Sequence, residues 1–412
     1  MVGRLRVLVV GASIAGPATA YWLARAGAEV TVIERFAGIR KGGQAVDIRG
    51  CGVTVMRRMP GMEELVRAKP TGEEGVGIVR NDGRPYGIIR ATGNPDQQSL
   101  VSEFEIFRGD LSTILHDLTR RYQRISYIFD EEIVSINQQA SEGPVQVDFA
   151  SGRQSATFDL VVAADGATSR TRAIGLQCGV RDHIHPTNTW AAYFSTKKDY
   201  LGGSKVGLGY SAPGGRFTTA GSKSSGGGHA MMMSRGTAAA FRQAAEQGSE
   251  REFVAEHYVD AGWISNELVE ELKTAEDFYA SEIVQVKVPQ LHKGRFVLVG
   301  DAGYAVGPTG FGTSIALAGA YILAGEIKKH AGDVDAALEA YEGQMRPLIR
   351  EMQKIPPILG SIVAPQSAWV IWVRNCIFAL VAWSGIAEYL QRFFAGAFED
   401  SKEFPLPEYE WN

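Results

Sequence analysis

Residues Gly294 to Ala302 form an apolar run that stops at Gly300-Asp301, and Pro308-Thr309-Gly310-Phe311-Gly312-Thr313-Ser314 follows, opening a small-residue helix to Lys329. A run that is apolar at consecutive positions, not at every second one, reads as a strand buried on both faces, as in a parallel sheet covered by helices. Two similar runs lie far upstream. Leu5 to Val10 leads into Gly11, and Leu160 to Ala164 leads into Asp165-Gly166. Few folds put three such strand ends before helix starts. The pattern implies a nucleotide-binding domain of α/β class.

The first of these units is the most complete. Gly11-Ala12-Ser13-Ile14-Ala15-Gly16 stands where a G-x-G-x-x-G turn would, a helix runs to Ala26, and Glu29 to Glu34 is a second strand. Gly11 permits the tight turn, and Gly16 lets helix and strand pack closely. Ser13 replaces the glycine at the point of closest approach to a pyrophosphate; it is small, and its hydroxyl can donate to phosphate. The helix N-terminus offers the positive end of its dipole to an anion. Glu34 ends the second strand, where an acid accepts ribose hydroxyls. Taken alone, the turn also fits a generic α/β connection.

From about Thr187 to Ser234 the pattern changes to short strands broken by Gly, Ser and Pro. Thr189 to Ser195, Lys205 to Tyr210, Arg216 to Ala220 and His229 to Met233 read as strands, with Gly221 to Gly228 a loop. A helical region follows from about Ala238 to Ala275, and Phe104 to Tyr122 reads as an extended entry into a helix. One alternating set of the strand side chains Trp190, Tyr193, Tyr210, Phe217 and Met231 to Met233 should line a pocket. Tyr210 and Arg216 are the polar candidates for anchoring a substrate there.

Composition narrows the function classes. The 412 residues suffice for two or three domains, and a net charge of -4 leaves no basic footprint for nucleic acid. Cys51, Cys178 and Cys376 have no metal or disulfide spacing, which favours a reducing, cytoplasmic setting. His183 and His185, in a loop with no carboxylate or cysteine at ligand spacing, suggest no metal site. Ala368 to Leu390 is apolar and about as long as the ~20 residues a membrane span needs, but Arg374, Asn375 and Glu388 interrupt it. A domain-bridging helix is the favoured reading, with peripheral membrane contact through its Trp and Phe residues the lesser one.

The sequence Asp165-Gly166-x-x-Ser169-x-x-Arg172 after an apolar strand, followed by Gly300-Asp301-Ala302 and Gly310-x-Gly312-x-Ser314, resembles the class A FAD monooxygenases of the aromatic hydroxylase type. The likeness spans nearly the whole chain. It is most similar to the branch with the tetracycline-inactivating and natural-product tailoring enzymes. That resemblance implies a three-layer, Rossmann-like FAD-binding domain interleaved with a β-sheet substrate domain, plus a C-terminal bridging helix. The corresponding divisions are 1–75, 101–182 and 285–334 for the FAD domain, 76–100 and 183–284 for the substrate domain, and 335–412 for the C-terminal helical segment.

Carried over by position, Gly11, Ser13, Gly16, Glu34 and Arg35 would bind the ADP half of FAD. Gly43, Gln44 and Ala45 would approach the isoalloxazine, Arg108 would reach toward the flavin and its pyrophosphate, and Val134 would lie beside the adenine. Asp165 would shape a turn facing both FAD and an incoming NADPH or NADH. Asp301 would contact the ribityl chain, and Gly310, Phe311, Gly312, Thr313 and Ser314 would hold the flavin's pyrimidine edge through backbone amides. Two departures stand out: Tyr304 where the wider family often has His, and Ser314 where Asn is more usual.

The implied activity is NAD(P)H-consuming monooxygenation of a medium-sized aromatic or polycyclic natural product through a flavin hydroperoxide, with molecular oxygen as co-substrate, by a monomer or weak dimer. No protein nucleophile is needed, because the cofactor carries the hard chemistry. A flavin-dependent dehydrogenase or reductase on the same scaffold remains an alternative, as does a structural-FAD protein catalysing a redox-neutral cyclisation. A flavin halogenase fits less well, since no Trp-x-Trp-x-Ile-Pro segment occurs.

Overall fold

A computed structural model describes residues 4–40, 42–90, 104–138, 143–356, 359–384 and 405–411. The three apolar runs become neighbours in one sheet. Its strand order is β17 (His292–Lys293), β18 (Phe296–Leu298), β11 (Leu160–Ala163), β1 (Arg6–Val10), β2 (Glu29–Glu34) and β7 (Ile125–Phe129). All pairings are parallel except β17 with β18, and Val9 lies between Val162 and Val32. Val7 to Val9 and all of β11 are fully buried, which is why these strands carry no polar alternation. Helices α1 (Ala15–Arg25), α2 (Cys51–Arg57) and α11 (Val334–Met352) pack around α10 (Gly312–Lys329), and α1 also meets α4 (Arg108–Thr119). Short helices α3 (Met62–Arg67), α5 (Arg170–Leu176) and α9 (Asp301–Tyr304) fill out this domain, together with a small sheet of β8 (Ile133–Asn137), β9 (Val145–Phe149) and β10 (Ala156–Phe158).

The second sheet has the order β16 (Tyr279–Val286), β12 (Ile184–Thr196), β15 (Gly228–Arg235), β14 (Arg216–Ser222), β13 (Val206–Ala212), β4 (Gly75–Val79) and β5 (Pro85–Arg90). Helices α6 (Ala238–Glu246), α7 (Glu250–Tyr258) and α8 (Ser265–Thr274) cover one face, where Trp190, Phe194 and Met232 pack against Phe241, Tyr258 and Leu272. Trp190 stacks on Phe241 at 5.0 Å. An antiparallel ribbon, β3 (Ala45–Asp47) with β6 (Glu105–Phe107), belongs to neither sheet and touches the second sheet through Phe107, whose ring meets His229 edge-on at 5.2 Å.

Some boundaries differ from the sequence reading. The helical region after Ala238 is three helices, with Gly248 and Gly262 in left-handed conformation at the breaks. Gly221, Ser222 and Gly228 belong to strands, because their backbones pair with His229, Gly228 and Ser222 despite their turn-like composition. His185 likewise lies in β12 and not in a loop.

Helix α13 (Ala368–Trp383), reached after α12 (Leu359–Val363), packs on β5 and β13 of the second sheet, and Arg374 donates to Ser211 at 2.8 Å. Its opposite side presents Trp369, Trp372, Ile377, Leu380 and Trp383. The packing seen is thus with the second sheet; residues 385–390 of the segment expected to bridge both domains lie outside the described residues. Among the described residues no helix is long and apolar enough to cross a membrane.

Candidate active site

Because β1, β11 and β18 are parallel neighbours, their carboxyl ends open on the same edge, where ligands of open α/β sheets bind. At the first end, Gly11 has φ +107°, and an added Cβ would lie 2.6 Å from the Ala164 carbonyl. A Cβ on Gly16 would fall 1.8 Å from the Gly11 carbonyl. Only glycine fits either position. Glu34 accepts from the Ala12 amide at 2.8 Å and from the Phe36 amide at 3.3 Å, so its carboxylate sits against the turn. The α1 N-terminus has no side-chain cap, which leaves its first amides for an anion.

A cleft beside this turn is lined by Ser13, Arg40, Gly42, Gly43, Arg108, Ser112 and Tyr279. The Arg108 amide donates to the Gln44 carbonyl at 2.9 Å, which ties α4 to the Gly42-Gly43 loop. Gly43 has φ +102° and meets the Arg108 side chain. The Arg40 and Arg108 guanidiniums lie 4.5 and 5.8 Å from the Tyr279 ring. Burial holds Arg40 below the ordinary guanidinium range; Tyr279 opposes this, while Arg108 and Arg35 add to it. No ion pair engages Arg35, Arg40 or Arg108 among the described residues. Three cations in no ion pair, with Glu34 and Asp301 nearby, suit a pyrophosphate.

Asp301 begins α9 at the end of β18. Its side chain is exposed yet ringed by protein, so burial pushes its carboxyl up and Arg108 pulls it back. A Cβ on Gly312 would sit 3.8 Å from the Asp301 Oδ1. Gly312, Thr313 and Ser314 form the first turn of α10, whose amides have no intrahelical acceptor. Phe311 precedes them at the N-cap, and Gly310, with φ +79°, faces Asp47 of the ribbon. Buried Gln44 Oε1 and Thr309 Oγ1 have no hydrogen-bond partner within the protein. Orphaned polar atoms, a cradle that only glycine permits, and unclaimed amides fit a polar cofactor.

The Ser314 side chain has a partner inside the protein. Its hydroxyl accepts from the Arg49 amide at 2.8 Å, and a Cβ on Gly52 would lie 2.7 Å from its Cα. The serine therefore locks α10 to α2, leaving only its backbone amide for a ligand. Asp165 has its oxygens engaged by the Ser169 hydroxyl and by the Thr171 amide at 3.1 Å, and burial raises its carboxyl. Arg35 is exposed beside Phe36, and Val134 is exposed on β8, which follows in sequence the strand paired with Glu34.

Tyr304 is fully buried; its hydroxyl lies 3.2 Å from Tyr341, and Gly319 makes room for it. That departure from the wider family is a packing feature. A link missed in the sequence is the fully buried Arg172, which donates to the Ala302 carbonyl at 2.8 Å and the Val180 carbonyl at 2.7 Å. It fastens the Asp-Gly motif to the Gly-Asp-Ala motif. Arg40, Ser112 and Tyr279 were also missed, since no spacing marks them and they meet only through tertiary pairing.

Strand alternation puts both candidate substrate anchors on the helix-covered face of the second sheet. Tyr210 packs with Trp263 on the helix-covered face, and Arg216 binds Asp260 and the carbonyls of Pro213 and His257 there. Neither is on the inner face. Cross-strand pairs place Tyr193, Met231, Thr219 and Gly209 in one inner row, with Tyr279 opposite Tyr193 and with Met233, Phe217 and Ser211 beside it. The large side chains of this row are half-buried, unlike their neighbours under the helices. At the far end His229 lies 3.2 Å from Glu73. Burial raises Glu105 on the ribbon to about 7, with Glu73 adding to it and the Thr71 hydroxyl opposing.

A nucleotide cradle on a parallel sheet, facing a half-open apolar wall, defines a two-domain flavoprotein. The FAD binding domain family matches residues 4–354. The monooxygenase CTB7 of Cercospora beticola is 32% identical over 98% of each chain. A flavin-dependent monooxygenase of Legionella longbeachae is 33% identical over 85% of this chain and 87% of its own. The crystal structure of tetracycline destructase Tet(55) superposes with a TM-score of 0.77 at 33% identity, covering 99% of this chain and 100% of that one. The chain belongs to the FAD binding domain family and is one of its FAD-dependent monooxygenases.

Proposed function

We propose that this monooxygenase uses NADPH or NADH to reduce its FAD and inserts one oxygen atom into a medium-sized, largely uncharged aromatic or polycyclic natural product. The observation that carries this reading is the half-open row Tyr193, Phe217, Thr219, Met231 and Met233, which has no charged side chain and lies on the sheet face turned toward the ribbon. A flat apolar ligand gains about 25 cal/mol for each Å² removed from water against such a wall. The similarity to tetracycline destructases supports a polycyclic substrate.

In this reading, Gly11, Ser13, Gly16, Glu34 and Arg35 hold the ADP half, with Val134 beside the adenine and Arg40 and Arg108 on the pyrophosphate. Gly43, Gln44, Ala45 and the first amides of α10 hold the flavin, and Asp301 takes the ribityl hydroxyls. Bound flavin supplies the electron transfer and oxygen activation. The protein positions the substrate and excludes water from the reacting centre. Asp165 acts indirectly, shaping its turn through Ser169 and Thr171. The absence of a second glycine turn fits a nicotinamide cofactor that binds transiently.

Incubating the holoenzyme with NADPH, labelled oxygen and a panel of polyketide and indole compounds tests this. One labelled atom in product, matched to NADPH consumption, is expected. Product without label, or turnover without NADPH, contradicts it.

A further inference from the structure

Residues 405–411 return to the FAD domain on the side where α1, α2 and α10 meet. Trp411 lies 4.7 Å from the fully buried Trp22 and 5.6 Å from Tyr321, with the Arg25 and Lys328 cations each 5.8 Å from its ring. Tyr409 donates to buried Glu326 at 2.7 Å. Its ring occupies space that only a glycine leaves: a Cβ on Gly325 would be 2.1 Å from it. The Pro407 carbonyl accepts from Tyr321 at 3.0 Å and Arg58 at 3.2 Å, and Arg58 also pairs with Glu408. Leu406 packs against the same core.

Two helices connect this groove to the cofactor cleft. Helix α10 starts with Gly312, Thr313 and Ser314 at the cleft and carries Tyr321, Gly325 and Glu326 to the groove. Helix α2 starts against Ser314 through Gly52 and ends at Arg58 in the groove. Any shift of one helix along the other is felt at both ends, because Ser314 locks them together at the Arg49 amide.

We propose that the α1–α2–α10 groove is a peptide-binding site for the Pro-Leu-Pro-Glu-Tyr-Glu-Trp segment, and that its occupancy sets how tightly FAD is held. The inference rests on the reading that the first turn of α10 holds the flavin. Recognition uses an aromatic anchor on Trp22, a tyrosine hydroxyl on a buried carboxylate, and an arginine on the proline carbonyl and the adjacent glutamate. By linkage, FAD must tighten the peptide by the factor with which the peptide tightens FAD.

The test compares the full-length chain with a Tyr409→Ala, Trp411→Ala double variant. Flavin fluorescence gives FAD affinity with and without a synthetic peptide of residues 405–411. The double variant should hold FAD about tenfold more weakly, within the usual range of such coupling. Added peptide should restore most of the loss, and FAD should tighten peptide binding by the same factor. Should the double variant fail to fold, Tyr409→Phe, which loses only the bond to Glu326, should still weaken FAD about threefold. Unchanged FAD affinity in the folded variants, or a loss the peptide does not restore, overturns the proposal. A full-length chain that binds no FAD at all refutes the flavin reading instead.

Discussion

The two large sheets use their faces in opposite ways. In the parallel sheet, Val7 to Val9, Val161, Val162 and Val297 are buried on both sides, so its useful chemistry lies at the strand ends. In the second sheet, one face is sealed under α6 to α8 and the other is half-open, so the substrate site we propose runs along the strands. The first site is thus built from turns that tolerate almost no substitution. The second is built from side chains that can be exchanged while the strands stay paired. A cofactor site fixed by backbone geometry beside a substrate site free to vary is what this arrangement allows.

The sharpest way to break this contrast is at Gly16. Gly16→Val must displace the Gly11 turn, since even the first added carbon falls 1.8 Å from a carbonyl. The expected cost is above about 4 kcal/mol, with no FAD recovered on reconstitution. Normal FAD content in that variant contradicts a backbone-built site.

Arg172→Ala removes the buried strap between two strand ends and leaves the Ala302 and Val180 carbonyls unpaired. Denaturant unfolding should show a loss of about 3 kcal/mol, together with weaker FAD binding, because the strap holds the residue next to Asp301. Loss of stability with unchanged FAD affinity would confine Arg172 to folding.

Between the two sites, the Glu105 carboxyl provides a pH handle. Its folded value of about 7 lies above the ordinary 4.5, so the fold prefers it protonated. The related stability is fully present below about pH 4.5 and is lost as pH rises through 7. The charges that face it are Glu73, Asp47 and Arg49, and His229 lies beside Glu73. Linkage over that interval amounts to something on the order of 3 kcal/mol. Melting temperature should therefore fall between pH 5 and pH 8, and Glu105→Gln should flatten the fall. A variant with the same slope as the native chain removes Glu105 as its source.

The smallest effect separates the two faces of the second sheet. Met231→Gln, on the inner row, should raise KM for the substrate by about tenfold, the worth of roughly 1.4 kcal/mol, with stability nearly unchanged. Tyr210→Phe, under the helices, should leave KM within about twofold, well under 1 kcal/mol. The reverse ranking would restore Tyr210 as an anchor.

The sequence made the parallel sheet and its turns readable, because burial on both faces leaves unbroken apolar runs and strained turns demand glycine. It could not tell which of two alternating rows faced the pocket. Tyr210 and Arg216 are the kind of polar residue expected at a substrate, yet a shift of one residue sends a strand side chain to the other face. Ser314 and Tyr304 were noticed as departures, but their roles depend on Arg49 and Tyr341, which are distant in sequence. Arg172 lay inside a recognised motif, and its acceptor, the Ala302 carbonyl, is visible only once β11 and β18 are neighbours.

The most direct measurement is identification of the flavin released when the purified protein is denatured. The Glu34 turn, the Arg35–Arg40–Arg108 group and the α1 N-terminus are assigned to an ADP half, which FMN lacks. The protein should be yellow and release FAD, chromatographically distinct from FMN, in close to one equivalent. Release of FMN alone, or a colourless protein that FAD does not reconstitute, would contradict the account at its centre.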